Sequence, residues 1–173
     1  MSKVIFPMYT TPELEAHIKE LYDKYYRTED IDTKGTFYSP SCRQICRSDP
    51  SFAATESAQI VQYLRDFSPK SSEQADLNRS YNIRLVKAHE FEFGSDEHVT
   101  PAGFYTSHDV KNMAVNEGWI GMRVDMWDDS GMLVKVHYWW RKEGDEWLQI
   151  LHDILTIEKD GVKIEKMKPA ETQ

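Results

Sequence analysis

The last third of the chain constrains the fold most, because three consecutive segments alternate apolar and polar residues with the period of two that marks β-strands. The segments are 119–127, 132–142 and 146–157. Short polar turns that contain glycine, at 128–131 and 143–145, separate them. The sequence therefore predicts an antiparallel three-stranded meander whose two faces differ in chemistry.

The pairing of these strands decides which residues share a face. A three-residue loop with Gly131 in a bulge pairs Met126 with Val134, which keeps charged side chains off the apolar face. A three-residue turn at 143–145 then pairs Tyr138 with Ile150. The predicted inner face is apolar apart from one phenol and one imidazole, and it comprises Met122, Val124, Met126, Val134, Val136, Tyr138, Trp140, Leu148, Ile150, His152 and Ile154.

The opposite face of the meander combines charges with wide aromatic rings. In the predicted register Asp125, Lys135 and Asp153 form one row of alternating sign. Large rings beside paired charges are typical of subunit interfaces, so this face predicts a homodimer. The outer set is Arg123, Asp125, Lys135, His137 and Asp153, with Trp127, Trp139 and Trp147.

Helices and two further strands precede the meander. Thr11 and Pro12 predict the start of a first helix, and 55–67 predicts a second. The segment 41–47 is predicted to be a strand. Its side chains alternate between two faces, and either face can point inward. One face carries Arg43, Ile45 and Arg47, and the other carries Cys42, Gln44 and Cys46. A long strand is predicted at 81–93, followed by a helix at 106–117 that is either a lid or a filling for the mouth of the fold. The buried stripe of the first helix is Leu14, Ile18, Leu21, Tyr22 and Tyr25.

The chain of 173 residues suits one domain at 11–158, between an N-terminal arm at 1–10 and a charged tail at 159–173. A net charge of −8 argues against a nucleic-acid partner. No stretch is apolar enough to cross a membrane and no leader pattern is present, so a cytoplasmic protein is expected. Cys42 and Cys46 are about 13 Å apart on a strand, too far for a disulfide, and are interpreted as buried thiols.

The closing strand at 147–154, Trp-Leu-Gln-Ile-Leu-His-Asp-Ile, resembles the last strand of SnoaL-like proteins in the NTF2-like superfamily. The stretches 118–125 and 134–140 look like SnoaL-like proteins of fungal origin. The resemblance covers roughly 11–158 and implies an α+β cone, in which a curved mixed or antiparallel sheet wraps around N-terminal helices. The superfamily includes ketosteroid isomerase, scytalone dehydratase, polyketide cyclases and non-catalytic binding modules, so the fold does not determine the function.

The resemblance implies an enzyme of secondary metabolism without cofactor or metal, an isomerase, cyclase or dehydratase that acts by general acid–base catalysis on a bulky, partly aromatic small molecule. His152 is expected to be a neutral buried base, Tyr138 a donor to an enolate oxygen, and Arg43 a stabiliser of an oxyanion if its face is inward. Asp49 or Glu90 could supply a carboxylate that the inner strands lack. Substrate contacts are expected from Trp140, Met122, Met126, Tyr105 and Tyr22.

Each of these residues also has an interpretation without catalysis. His152 and Tyr138 can be core side chains that bond to backbone carbonyls, while Arg43 and Tyr105 can lie on the surface. The same cone can also serve a non-catalytic small-molecule binder, or an interaction module whose interior is filled by its own side chains. A cavity below about 300 Å³ is what the interaction module predicts.

Overall fold

The computed structural model describes residues 11–67, 79–128, 131–159 and 162–163. The sequence also predicts a polar loop at 70–78. This segment, the predicted arm at 1–10 and most of the predicted tail lie outside the described residues. None of the described helices is long and apolar enough to cross a membrane. The helices are α1 (Pro12–Arg27), α2 (Ile31–Gly35), α3 (Ser57–Phe67), α4 (Asp96–Val99) and α5 (Ser107–Asn116). The strands are β1 (Tyr38–Cys46), β2 (Arg79–Lys87), β3 (Ile120–Asp128), β4 (Met132–Glu143), β5 (Glu146–Lys159) and β6 (Val162–Lys163).

The first helix begins where the sequence predicts it. The Thr11 side chain accepts a hydrogen bond from the backbone nitrogen of Leu14 at 3.2 Å, and Pro12 occupies the first turn. Its buried residues are Ile18, Tyr22 and Tyr25, which share one face because they are three or four positions apart. This face packs against the sheet and brings two phenols into the interior.

The strands form one curved sheet in the order β1-β5-β4-β3-β2, with β6 beside β5. β1 runs parallel to β5, whereas the other neighbours are antiparallel. The predicted register of the first hairpin is confirmed, since Met126 pairs with Val134 and Val124 with Val136. The predicted α+β fold, with a curved mixed sheet around the N-terminal helix, is also confirmed.

The predicted register of the second hairpin is wrong by one residue beside the turn and by two residues between Val136 and Trp139. Gly144 has a φ of +62°, which permits a tight two-residue turn, and Glu143 pairs with Glu146. An irregularity after Trp139 then shifts the strands, so that Tyr138 pairs with His152. The same shift moves Asp153 out of the predicted charge row and opposite His137, and a second irregularity, between Lys135 and Val136, places Thr156 opposite Lys135.

The corrected register changes part of the inner face. Gln149 lies opposite Trp140, a position that was predicted for Leu148, and Leu148 pairs with Arg141 instead. Ile150 packs with the side chains of the opposite face. His152 remains on the inner face because the two strands slip by an even number of residues.

Two apolar clusters lie on opposite sides of the sheet. The concave cluster lies between the sheet, α1 and α3, and its buried members are Ile18, Tyr22, Tyr25, Tyr38, Cys42, Ala54, Ile60, Ile120, Met122, Val124, Val136, Tyr138 and Trp140. The convex cluster is covered by the segment 88–119, and its buried members are Ile45, Ala88, Phe93, Val99, Ala102, Phe104, Val110, Ala114, Trp119, Trp139, Ile150 and Leu151.

The segment 88–119 is therefore a cover for the convex face, and the expectation that its helix closes or fills the mouth is wrong. β2 stops at Lys87, six residues before the predicted end, and Phe93 reaches the Trp139 ring at a centroid distance of 4.8 Å. Trp139 is fully buried by its own chain, so it cannot contribute to the predicted subunit interface. Trp147 also leaves that interface, because it packs against the concave cluster.

Candidate functional site

The principal polar side chains of the concave face lie side by side in one row that crosses the strands. Gln44 pairs with His152, His152 with Tyr138, and Tyr138 with Met122. All four side chains are at most 7% exposed. The row spans β1, β5, β4 and β3, so it exists only because β1 lies parallel to β5 at the edge of the meander.

Four tyrosines meet beside this row, and we call Tyr22, Tyr25, Tyr38 and Tyr138 the tyrosine cluster. The hydroxyls of Tyr25 and Tyr38 are 2.7 Å apart, within a hydrogen bond. The Tyr138 ring lies 5.1 Å from the Tyr22 ring and 5.8 Å from the Tyr25 ring, between ring centres. The spacing of three residues on α1 brings two of these phenols onto one helix face.

Burial keeps the phenols of Tyr25, Tyr38 and Tyr138 neutral. It raises the pKa of Tyr138 to about 12, although hydrogen bonds with Tyr22 and Tyr25 act in the opposite direction. Burial also raises the pKa values of Tyr25 and Tyr38. Near pH 7 each hydroxyl therefore carries a proton that it can donate to an acceptor.

His152 is a neutral imidazole packed between two of these rings. Burial lowers its pKa to about 3, and the nearby Lys34 ammonium acts in the same direction. The rings of Tyr38 and Tyr138 each lie 5.0 Å from the imidazole in edge-on contacts. The imidazole is therefore buried on the inner face, as predicted, and its lowered pKa leaves it neutral near pH 7.

Both ring nitrogens of His152 face glutamine side chains. Nδ1 lies 3.3 Å from Oε1 of Gln44, whose Nε2 donates to the carbonyl of Phe52 at 2.9 Å. This bond orients the Gln44 amide, so Nδ1 carries the single hydrogen of the neutral ring. Nε2 is then an acceptor that lies 2.5 Å from Oε1 of Gln149, and turning this amide over places its otherwise unpartnered NH₂ group there as the donor.

The concave interior has an unused donor, and the two buried aspartates of the described residues already have partners. The indole Nε1 of Trp140 is buried without a hydrogen-bond partner. The buried carboxylates of the described chain lie elsewhere: Asp49 accepts from the hydroxyl and backbone nitrogen of Ser51, and Asp153 pairs with Arg47 on the convex face. Glu90 is 63% exposed, so neither predicted source of a carboxylate reaches the interior.

The structure separates the predicted site residues into two groups. His152, Tyr138, Trp140, Met122 and Tyr22 are buried on the concave side, where the sequence places them. Met126, which is partly buried, packs against the same cluster.

The expectation that Arg43 and Tyr105 join this site is wrong. Arg43 lies on the opposite face of β1, where its Nη1 donates to the carbonyl of Gly103 at 3.0 Å and its guanidinium stacks over Phe104. Tyr105 follows in the convex cover and is 87% exposed. The cause is the orientation of β1, which turns the Cys42 and Gln44 side inward.

Tyr22 lies over the interior near the end of β3 and the start of β4. Its ring packs on Tyr138, while its hydroxyl donates to the sulfur of Met126 at 3.3 Å. A ligand that reaches the tyrosine cluster from this side must displace the Tyr22 side chain. No group of three or more His, Cys, Asp or Glu side chains among the described residues is arranged to hold a metal ion.

Sequence reasoning missed Tyr38, Gln44 and Gln149 as members of the site. Gln44 stands between two buried cysteines in the alternation of β1, which is the signal that could have identified it. Gln149 could not be found, because its inward direction depends on the irregular pairing after Trp139.

Two solved structures show the same overall architecture. A cystatin-like fold protein from Burkholderia xenovorans LB400 is 11% identical, with a TM-score of 0.51 over 83% of this chain and 92% of that chain. An NTF2-like protein of unknown function from Pseudomonas putida KT2440 is 8% identical, with a TM-score of 0.50 over 86% of this chain and 89% of that chain. At these identities the likeness concerns the fold alone.

No curated protein matches this sequence with significant similarity. The family model of the SnoaL-like domain matches residues 8–170, which is nearly the whole chain. This match shows that the chain belongs to the SnoaL-like domain family.

Proposed function

We propose that this domain binds a bulky, partly aromatic ketone in the concave cluster and catalyses its isomerisation, cyclisation or dehydration by proton transfer. The observation that carries the proposal is the tyrosine cluster beside the unpartnered Trp140 indole. Together they give a buried apolar interior that carries several hydrogen-bond donors. A carbonyl oxygen is the group that such an interior accommodates best.

The proton transfer is redox-neutral and needs no cofactor. A proton leaves a carbon beside the carbonyl, the C–H electron pair forms a carbon–carbon double bond, and the carbonyl π pair moves onto the oxygen. When the carbonyl re-forms, the proton returns at the far end of a conjugated double bond in an isomerisation, or leaves with a β-hydroxyl group as water in a dehydration. In a cyclisation the enolate carbon attacks a second carbonyl carbon of the substrate, whose oxygen takes the proton. The phenol of Tyr138 donates a hydrogen bond to the oxygen as negative charge develops there. His152 takes the proton at Nε2, and this requires the Gln149 amide to turn away when the substrate enters.

The low pKa of His152 limits what this residue can do alone. An imidazole with a pKa of about 3 is a weak base, although it is entirely neutral at pH 7. A bound enolate near the ring would stabilise the protonated form, because an adjacent negative charge favours a cation. The basicity of His152 therefore increases as negative charge develops on the substrate.

The test uses 2-tetralone, a bicyclic ketone with acidic protons beside its carbonyl. Incubation of the ketone in deuterium oxide with the protein should accelerate deuterium uptake at these carbons, as measured by proton NMR. Tyr138→Phe and His152→Asn should each lower the rate by roughly 10²–10⁴-fold, as expected for the loss of a donor or a base. Tyr105→Phe is the matched control, because this phenol is exposed on the convex cover.

Ligand binding is measured separately with 9-fluorenone and fluorene, which have nearly the same shape and differ by the carbonyl oxygen. Fluorenone should bind about tenfold more tightly, and Tyr138→Phe should reduce this preference. Equal affinity for the two compounds and no acceleration of exchange would contradict the proposed enzyme.

A second candidate function, a non-catalytic domain with a filled interior, is favoured by the packing itself. Tyr22, Met122 and Trp140 are fully buried by the side chains of the chain itself. Both nitrogens of His152 have partners, as expected for a structural residue. Binding of fluorenone without proton exchange would assign the chain to the small-molecule binders, and binding of neither compound would favour the interaction module.

A role in secondary metabolism and a fungal type of sequence remain part of the proposal. They are supported by the resemblance in 118–125 and 134–140. The neighbouring genes test them: polyketide, terpene or peptide-synthetase genes beside this one are expected, and a purely housekeeping context would count against this assignment.

A further inference from the structure

A row of charged side chains crosses the convex face beside the part that is covered by 88–119. Direct cross-strand pairs join Arg84 with Arg123, Arg123 with His137, and His137 with Asp153. Arg47 follows β1 and binds Asp153 through Nε at 3.0 Å and Nη2 at 2.6 Å. We call these five residues the arginine row, and none of them belongs to the concave site.

Two arginines of this row stand on directly paired positions of neighbouring strands. Arg84 and Arg123 occupy directly opposed positions, where like charges destabilise a sheet. Arg123 donates its Nε to Asp125 at 2.8 Å. Among the described residues, the terminal nitrogens of Arg123 and the whole guanidinium of Arg84 have no hydrogen-bond partner.

The surroundings of the row carry an excess of positive charge. Its cations and the adjacent Lys135 contribute four positive charges, and the carboxylates of Asp125 and Asp153 contribute two negative ones. The difference is two positive charges, on a chain whose net charge is −8. An excess of this sign on an acidic protein attracts anions to one place.

The histidine in the middle of the row is incompletely satisfied. His137 is 3% exposed, and its Nδ1 is buried without a partner in the described structure. The Phe91 ring lies against the imidazole in an edge-on contact, at a centroid distance of 4.3 Å. A buried ring nitrogen without a hydrogen bond is costly, which indicates that a group is missing beside it.

We propose that Arg84, Arg123 and His137 form a binding site for a small oxyanion, with the dimensions of a phosphate or carboxylate group. The planar guanidinium forks recognise such oxygens in pairs, and the anion removes the repulsion between the two arginines. Phosphate esters and carboxylates share this chemistry, and the experiment distinguishes them.

The test is a titration of the isotope-labelled protein with sodium phosphate at pH 7, at constant ionic strength, followed through the arginine Nε resonances in NMR spectra. Saturable shifts are expected at Arg84 and Arg123, with a change in the imidazole signals of His137. Arg84→Gln should weaken phosphate binding by about tenfold or more, since it removes a charge-assisted contact. Arg84 is exposed, so this variant should fold normally.

Arg65→Gln is the matched control, because it removes the same charge from α3, away from the row. A parallel titration with sodium acetate identifies the chemistry: tighter phosphate binding assigns the site to phosphate esters, and tighter acetate binding assigns it to carboxylates. No saturable shift with either anion would overturn the proposal. An equal loss of affinity in Arg65→Gln would also overturn it, because it would show a general effect of net charge.

Discussion

At the scale of single residues, the neutral imidazole of His152 links the interior to the stability of the whole protein. Its pKa is about 3 in the fold, compared with about 6.5 for an exposed histidine. Between these two pH values His152 binds a proton in the unfolded chain but not in the folded chain. His137 behaves in the same way, because burial and the adjacent arginines lower its pKa to about 3.

We expect the free energy of unfolding to fall as the pH is lowered from about 6.5 toward 3, since the unfolded state binds more protons in this range. Each of the two histidines contributes up to about 1.4 kcal/mol per pH unit, and this contribution is fully present above pH 6.5. Urea unfolding at several pH values measures the slope. His152→Asn should reduce it by about half, and a slope identical to that of the wild type would contradict the buried neutral ring.

A glycine makes the contact between the sheet and the convex cover possible. A Cβ atom on Gly121 would lie 2.5 Å from Cζ3 of Trp139, which pairs with it across the strands. Gly121→Ala should therefore lower the free energy of unfolding by about 1–3 kcal/mol, as overpacking does elsewhere.

The effect should be smaller in a Trp139→Leu background, because the shorter side chain leaves room for the methyl group. A double-mutant cycle of urea unfolding measures this coupling. Additive effects of the two substitutions would show that Gly121 is required for another reason.

At the scale of elements, the segment 88–119 is the main departure from what the sequence pattern suggests. The apolar residues at 91 and 93 continue the alternation of β2, yet the single 3-10 turn Ala88–Glu90 directs them over the convex face. There Phe93 contacts Trp119 and Trp139, and α5 adds Val110 to the same cluster. The segment thus shields sheet residues that would otherwise face solvent.

Phe93→Ala should lower the free energy of unfolding by about 3–5 kcal/mol, because it removes a fully buried ring from this cluster. Tyr105→Ala, a loss of a ring from the same segment, should change it by no more than about 0.5 kcal/mol, since this tyrosine is exposed. Chemical denaturation of the two variants makes the comparison. Similar losses in both would mean that the segment does not serve as a packed cover.

At the scale of the whole molecule, the two sides of the sheet have separate uses. The concave side holds the candidate site, while the convex side is divided between the cover, the arginine row and an open patch. In this patch Trp127, which is 40% exposed, pairs with Leu133, and Asp125 pairs with Lys135. Aromatic surface beside charges of opposite sign is self-complementary under a two-fold axis.

We propose that this patch forms the homodimer that the sequence predicts. Light scattering coupled to size-exclusion chromatography should give the mass of a dimer for the wild type and that of a monomer for Trp127→Glu. Val115→Glu is the control, because Val115 is an apolar residue of α5 that lies outside the patch and is 44% exposed. A monomeric wild type, or a dimer that survives Trp127→Glu, would contradict this interface.

The strands of the meander, the first helix and the inward position of His152 and Tyr138 follow from the amino-acid sequence alone. Their signals are local: a period of two or of 3.6, a capping threonine, and a register that would otherwise bury Arg123 or Asp125. Such patterns can be recognised in the sequence because the face to which each side chain points depends on its position relative to its neighbours along the chain.

Tertiary structure decided the side of the sheet that receives Arg43, the inward turn of Gln149, and the use of 88–119 as a convex cover. Each depends on which distant strand or ring the residue meets, and irregular strand pairing leaves no periodic trace in the sequence. Gln149 turns inward only because the β4–β5 pairing shifts after Trp139. The composition of the site therefore depended on long-range packing, whereas its two central residues could be named from local alternation.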